Sequence, residues 1–231
     1  MNNLQKRILT SLFILPLSFF FVVKGGYFLI FFLIFILFVG LHELFSVFRK
    51  KTNMLFLGSV LILSLFSIYY LRNNHYYSQI LLYWVIILCI FSDIGGYVFG
   101  KIFKWKKLTK ISPNKTISGV FGSFFFSFVW LVIVHELSYQ DWFYKIFYHM
   151  YLDDPGAWPM SFFSIKYFIL TIIFSMVAQA GDLIISYLKR LEKIKDTGKI
   201  LPGHGGIFDR IDGLMFIVIL AFILYQFKII L

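Results

Sequence analysis

Charge is what this chain has least of. Only 14% of its 231 residues are Asp, Glu, Lys or Arg, against about 25% in a typical soluble domain, which argues against an ordinary water-soluble fold. It has one cysteine, Cys89, so an intramolecular disulfide is excluded; the thiol lies in an apolar run and is expected to pack. The strict apolar–polar alternation of a membrane β-barrel is missing. So are low-complexity tracts and internal repeats. The opening "MNNLQKRILTSLFILPLSFFFVVKGG" has the basic start and apolar core of a signal peptide. No small-x-small cleavage site follows that core, so it reads as a retained first span.

What the chain does have is apolar length. Hydrophobic residues make up 60% and aromatic residues 22%, in runs near the twenty or so residues a helix needs to cross a bilayer. The expectation is an all-α, polytopic integral membrane protein, with 1–231 as one membrane domain. Seven helices are expected: Ile8–Val23, Tyr27–Val47, Met54–Leu71, Ser78–Gly100, Gly119–Leu137, Phe162–Ser186 and Ile211–Leu231. The first is short and holds Pro16, so it is expected to be tilted, kinked or re-entrant. The third is marginal in length.

Of the 22 Lys and Arg residues, all but Lys24, Arg72, Lys145, Lys166 and Lys228 fall on one side of these spans. Basic loops stay in the cytoplasm, so the N-terminus is expected inside and the C-terminus outside. The turn Asp153–Asp154–Pro155 is then an outer one. The same bias, with attraction to anionic headgroups, accounts for the net charge of +11 without nucleic acid. The 31 Phe and 14 Tyr read as lipid-facing and packing material.

Polar residues concentrate on the cytoplasmic side. Asp93 and Asp182 each lie about 10 Å beneath the basic end of a helix, at matched depth. A carboxylate there costs about 2.5–3.5 kcal/mol unless paired or hydrated. Either could simply pack against a neighbour, which Gly95 and Gly96 would permit. Two such acids opening to the cytoplasm otherwise suit an oxygen-rich, thiol-free cation site, and Mg²⁺ rather than zinc. Asp209 and Asp212 share one face at a helix start, with Arg210 between them. Upstream, "PGHGG" cannot be helical, and its glycines let backbone N–H groups converge on an anion. Lys189, Arg190, Lys195, Lys199, His204 and Arg210 flank it. A second basic loop, "KKLTKISPNKTISG", surrounds Ser112, Pro113 and Thr116 with lysines, and Ser118 suits a helix cap. Glu43, beside His42 near the cytoplasmic end of its helix, either lines the same cavity or reaches the interface. Acids for a metal, basic residues and a glycine nest on one membrane face point to phosphate chemistry on a lipid.

The segment "SYLKRLEKIKDTGKILPGHGGIFDRID" (Ser186–Asp212) resembles the signature of the phosphatidate cytidylyltransferases, also called CDP-diglyceride synthases. The signature reads S-x-x-K-R-x4-K-D-x-G-x3-P-G-H-G-G-x-x-D-R-x-D, and every defining position is present. Upstream, "GDL" (Gly181–Leu183), "SPNKT" (Ser112–Thr116) and "D-x-x-G-Y-x-x-G" (Asp93–Gly100) match in order. The resemblance covers the C-terminal 60% or so of the chain, so 1–75 read as variable N-terminal helices and 76–231 as catalytic helices and cytoplasmic loops. It implies that CTP and phosphatidic acid give CDP-diacylglycerol and pyrophosphate, with Mg²⁺ and a second cation where one binds, in phospholipid biosynthesis. It implies a multi-pass enzyme of a bacterial-type cytoplasmic membrane, its site facing the cytoplasm, and a homodimer.

By the same resemblance the metal acids are Asp182, Asp196, Asp209 and Asp212, with Asp93 as a further candidate from its depth. Lys189, Arg190, Lys195, His204 and Arg210 would hold phosphates. Ser112, Lys115 and Thr116 would close the site, and Ser186, Gly203, Gly205 and Gly206 would complete the substrate loop. Two positions depart from the family pattern: Ser118 and Ile185 stand where glutamate is usual. CDP-alcohol phosphatidyltransferases are the nearest rival, but "DRIDG" is followed by neither the "AR" nor the later acids of their pattern. An ion-coupled transporter would explain Asp93 and Asp182 but not the cytoplasmic glycine-rich loop.

Overall fold

The computed structural model describes residues 14, 16–109, 112, 115–138, 164–198, 200 and 205–229. Residues 16–24 are helical, apart from the turn at Gly25 that follows. Six longer helices come next: α1 Gly26–Val47, α2 Lys51–Asn73, α3 Tyr76–Phe103, α4 Ile117–Ser138, α5 Ile165–Leu191 and α6 Phe208–Gln226. Among the described residues, five segments are long and apolar enough to cross a membrane: Gly26–Val47, Lys51–Asn73, Tyr77–Phe103, Ile117–Leu137 and Ile165–Leu191. The protein is an all-helical, polytopic membrane protein. Six expected helices appear with ends shifted by a few residues, because a helix continues past its apolar stretch into interfacial residues. The third expected helix, marginal by its apolar run, is 23 residues long. Residues 8–13 and 15 of the first expected helix, and the turn at Asp153–Asp154–Pro155, lie outside the described residues.

The chain divides into two compact units, Met1–Leu82 with Ala180–Leu231, and Tyr83–Gln179. The first holds α1, α2, α6 and the C-terminal part of α5. Here α2 and α6 meet through aromatic edges: Phe222 sets its ring at 80° to those of Phe66 and Tyr70, at 5.6 and 5.1 Å. Leu61 and Phe208 close around Gly40 of α1. The turn between residues 16–24 and α1 needs Gly25, whose φ is +68°. A side chain there would also strike Arg72. Arg72 is buried, and donates from Nε to Val22 O (2.8 Å) and from Nη2 to Val23 O (2.6 Å). Its charge therefore sits on the orphan carbonyls of a helix C-terminus, where the helix dipole favours it.

In the second unit, α3 and α4 touch backbone to backbone. A Cβ on Gly95 or Gly122 would overlap the other's carbonyl, so both positions exclude any larger residue. Trp130 Nε1 donates to Trp84 O (3.2 Å), and Ser92 and Ser175 share a buried hydrogen bond of 2.9 Å. Each buries a polar group with a partner, as a membrane interior requires.

Candidate active site

In the first unit the polar segment after α5 is held to the start of α6 by two carboxylates. Lys189, in the last turn of α5, donates to Asp209 Oδ1 at 2.6 Å, with both side chains largely buried. The other oxygen, Oδ2, accepts from Thr197 N (2.8 Å), Thr197 Oγ1 (3.1 Å) and Gly206 N (3.0 Å). Glu43 of α1 is only 1% exposed. It accepts from Ile207 N (2.7 and 2.9 Å to its two oxygens) and Phe208 N (3.3 Å), and lies 3.2 Å from Thr197 Oγ1, whose single proton is shared between Glu43 and Asp209. Helix α6 has no side-chain cap of its own at Ile207. Glu43 supplies that cap from α1, satisfying N–H groups a helix start leaves unpaired, while Asp209, in the first turn of α6, ties back Thr197 N and Gly206 N.

Two glycines make this approach possible. Gly205 has φ +85°, and a Cβ on it would lie 2.6 Å from Asp209 Oδ2. A Cβ on Gly206 would collide with Thr197 Oγ1 and with both Glu43 oxygens. The glycine-rich turn thus serves at least two carboxylates of the protein itself.

The remaining expected residues fall as follows. Asp182 and Asp212 are half-buried. Gly181 lets α5 meet α6, since a Cβ there would be 3.1 Å from Asp212 O; the neighbouring Asp182 and Asp212 therefore leave backbones that touch. Ser186 Oγ donates to Asp182 Oδ1 (3.2 Å), and Asp212 Oδ1 accepts from Gly213 N (2.8 Å). Arg190, Lys195, Asp196 and Arg210 are exposed, and Arg190 Nη1 donates to Ile194 O (3.3 Å). A Cβ on Gly205 would sit 3.3 Å from that of Asp196. Gly203 and His204 lie outside the described residues. Among the described residues, no three His, Cys, Asp or Glu side chains are gathered as a metal cluster.

The second unit holds the other basic loop. Lys107 and Thr116 form an isolated bridge, and Lys115 N donates to Ser112 O (3.1 Å). Lys115 Nζ reaches Gln179 O (3.3 Å). Thr116 caps α4 by accepting from Gly119 N (3.1 Å), and it shares a 3.0 Å hydrogen bond with Ser118. The cap is thus Thr116, with Ser118 as its buried partner. Asp93 is exposed on α3. One turn on is the exposed Tyr97, with Lys101 Nζ 5.7 Å from its ring centre. Asp93 and Asp182 belong to different units.

Three contributors stand outside the expected site residues. The sequence offers Glu43 equally to cavity and interface, and the structure buries it against the loop. No sequence pattern marks Thr197. Glu192, just past α5, accepts from Arg49 N and Lys50 N (3.2 Å each) and from Asn53 Nδ2 (2.8 Å), capping α2. Desolvation pushes the Glu192 carboxyl up, but the Asn53 bond, the two backbone bonds and the Lys50 charge outweigh it and hold it below the ordinary value. Only Glu43, an acid inside an apolar run, carried a signal that could have found it.

A membrane-embedded helical scaffold with acids, bases and a glycine-rich turn at one helix end defines the class, and sequence comparison supplies the family. The pattern of the cytidylyltransferase family matches residues 50–228, and the chain belongs to that family. It is 40% identical over 135 residues to a phosphatidate cytidylyltransferase of Staphylococcus epidermidis, covering 58% of this chain and 44% of that protein. It is 34% identical over 140 residues to the enzyme of that name from Helicobacter pylori, covering 61% and 45%. A Staphylococcus aureus relative of the same name is 39% identical over 134 residues, covering 58% and 44%. The matched part thus spans less than half the length of each of these relatives.

Proposed function

We propose that this protein transfers the cytidylyl group of CTP to phosphatidic acid, at the cytoplasmic face of a bacterial-type inner membrane. The observation that carries this is the segment Ser186–Asp212, complete in its signature and anchored at both ends by Lys189–Asp209 and Glu43–Ile207. In the reaction, a lipid phosphate oxygen attacks the α-phosphorus of CTP. The bond from that phosphorus to the β-phosphate bridging oxygen breaks, and pyrophosphate leaves. The nucleophile is already anionic, so no strong general base is needed, and catalysis rests on positioning and charge neutralisation.

The exposed Arg190, Lys195 and Arg210 are suited to triphosphate and lipid phosphate. Lys189 is engaged with Asp209, so the pair is better used to hold the loop than to bind phosphate or metal directly. Asp182 and Asp212 fit a divalent cation: they are hard oxygen donors leaving touching backbones at Gly181. Asp196, beside Gly205 on the loop, is not gathered with them into a three-acid cluster, so it is assigned no metal role. Bound Mg²⁺ would neutralise charge on the departing pyrophosphate. The basic loop with Ser112, Lys115 and Thr116 is the second phosphate-handling element.

The test is purified protein in lipid with Mg²⁺, labelled CTP and phosphatidic acid. CDP-lipid and pyrophosphate should form in equal amounts, and chelation should stop the reaction until Mg²⁺ is restored. Asp212→Asn should lower turnover at least about 100-fold while membrane insertion is unchanged. Absence of CDP-lipid from wild-type protein would overturn the reading.

A further inference from the structure

We infer that Glu43 is a positioning residue for the glycine-rich loop, fixing its two ends so that it can receive a nucleoside triphosphate. This rests on the cytidylyltransferase reading above. Glu43 lies on α1, outside residues 50–228 that match the family pattern. Among the described residues its side-chain hydrogen bonds are nevertheless to the signature segment. Thr197 Oγ1 stands at the entrance of the loop, and Ile207 N and Phe208 N stand at its exit. Gly198 and Gly206 pack against the same carboxylate, at 2.9 and 2.7 Å from Oε1 if a Cβ is placed on them. One side chain from a distant helix therefore sets the separation of the loop's two ends.

The chemistry explains why the residue is an acid. The N–H groups of Ile207 and Phe208 open α6 and point toward the N-terminal side, where the dipole is positive. Left unfilled, that end would compete for the same anion the loop is meant to hold elsewhere. A carboxylate at 1% exposure satisfies these donors permanently. Triphosphate is thereby directed to the exposed bases Arg190, Lys195 and Arg210. Glu43 touches no reacting atom in this scheme. It acts through the backbone of the loop.

The experiment uses a reporter thiol at the exposed Ile200 (Ile200→Cys in a Cys89→Ser background) in reconstituted protein. The labelling rate with a hydrophilic maleimide is read with and without CTP, alongside kinetics. With Glu43→Gln, unliganded labelling should rise at least about fivefold. KM for CTP should rise about tenfold while KM for phosphatidic acid moves less than about twofold. If Glu43→Gln does not insert, Thr197→Val should give a smaller change of the same kind, about threefold, and Thr197→Ser should restore the wild-type values. Unchanged labelling and unchanged KM for CTP in a correctly inserted variant would overturn the inference. So would a loss of kcat alone in proportion to the folded fraction. If wild-type protein makes no CDP-lipid, the functional reading falls, while the labelling rates without CTP still decide whether Glu43 fixes the loop.

Discussion

Lys189 and Asp209, twenty positions apart in the chain, form a 2.6 Å ion pair with side chains 12% and 6% exposed. The pair joins the last turn of α5 to the first turn of α6. Removing one member strands the other in a poorly hydrated site, at a cost of about 3 kcal/mol or more. Asp209→Asn should therefore lower both thermal stability and turnover, whereas loss of a metal ligand alone would spare stability. Detergent-phase melting and CDP-lipid formation on the same sample separate the two.

Ile185 and Ser118 stand where the family pattern has glutamate, and both are buried, at 0% and 1% exposure. Restoring the acid places a carboxylate in a packed position, which costs about 2.5–3.5 kcal/mol on membrane insertion scales. Ile185→Glu should reduce the yield of folded protein and lower the melting temperature, with no gain in turnover. An increase in kcat/KM with stability retained would show that the position faces the site.

Glu192 gives a pH dependence of definite sign. Its carboxyl is held below the ordinary value, so its contribution is complete above the unfolded glutamate value of about 4.3. It is lost as pH falls through the lowered folded value. Wild-type protein should be more stable than Glu192→Gln at pH 7, and that advantage should shrink on acidification below about pH 4. Melting curves of both proteins across this range check it. A constant difference would exclude the carboxylate cap on α2.

Gly205 combines φ +85° with a crowded Cβ position 2.6 Å from Asp209 Oδ2. Gly205→Ala should cost about 1–3 kcal/mol of backbone strain and at least about tenfold in kcat/KM. Gly26→Ala provides the control: its φ is +56°, but nothing lies within 4 Å of its Cβ position. It should leave kcat/KM within about twofold.

The spans were legible because hydropathy over some twenty residues has few competing explanations. Helix ends were less so: Lys51–Asn73 exceeds the apolar run Met54–Leu71 because polar residues continue the helix beyond it. The signature residues were visible, but their pairing was not. Sequence offers Lys189 to a phosphate and Asp209 to a metal with equal ease, and only geometry brings the two together. Glu43 lies 154 to 165 positions from its hydrogen-bond partners, a separation that leaves no local pattern. Glu192 was hidden for the same reason, since its partners Arg49, Lys50 and Asn53 supply mostly main-chain donors that no residue type announces.

Most donors that tie the loop to α6 are main-chain N–H groups, those of Thr197, Gly206, Ile207 and Phe208. Substitution cannot delete a main-chain donor, short of introducing proline. Mutational sensitivity therefore shifts onto the acceptors and onto the glycines that let them come near. Two acids and two glycines bear the constraint, and Ile200 is exposed. A library randomised across this loop and at Glu43 would show that division directly, as sharp depletion at Glu43, Gly205, Gly206 and Asp209 and broad tolerance at Ile200.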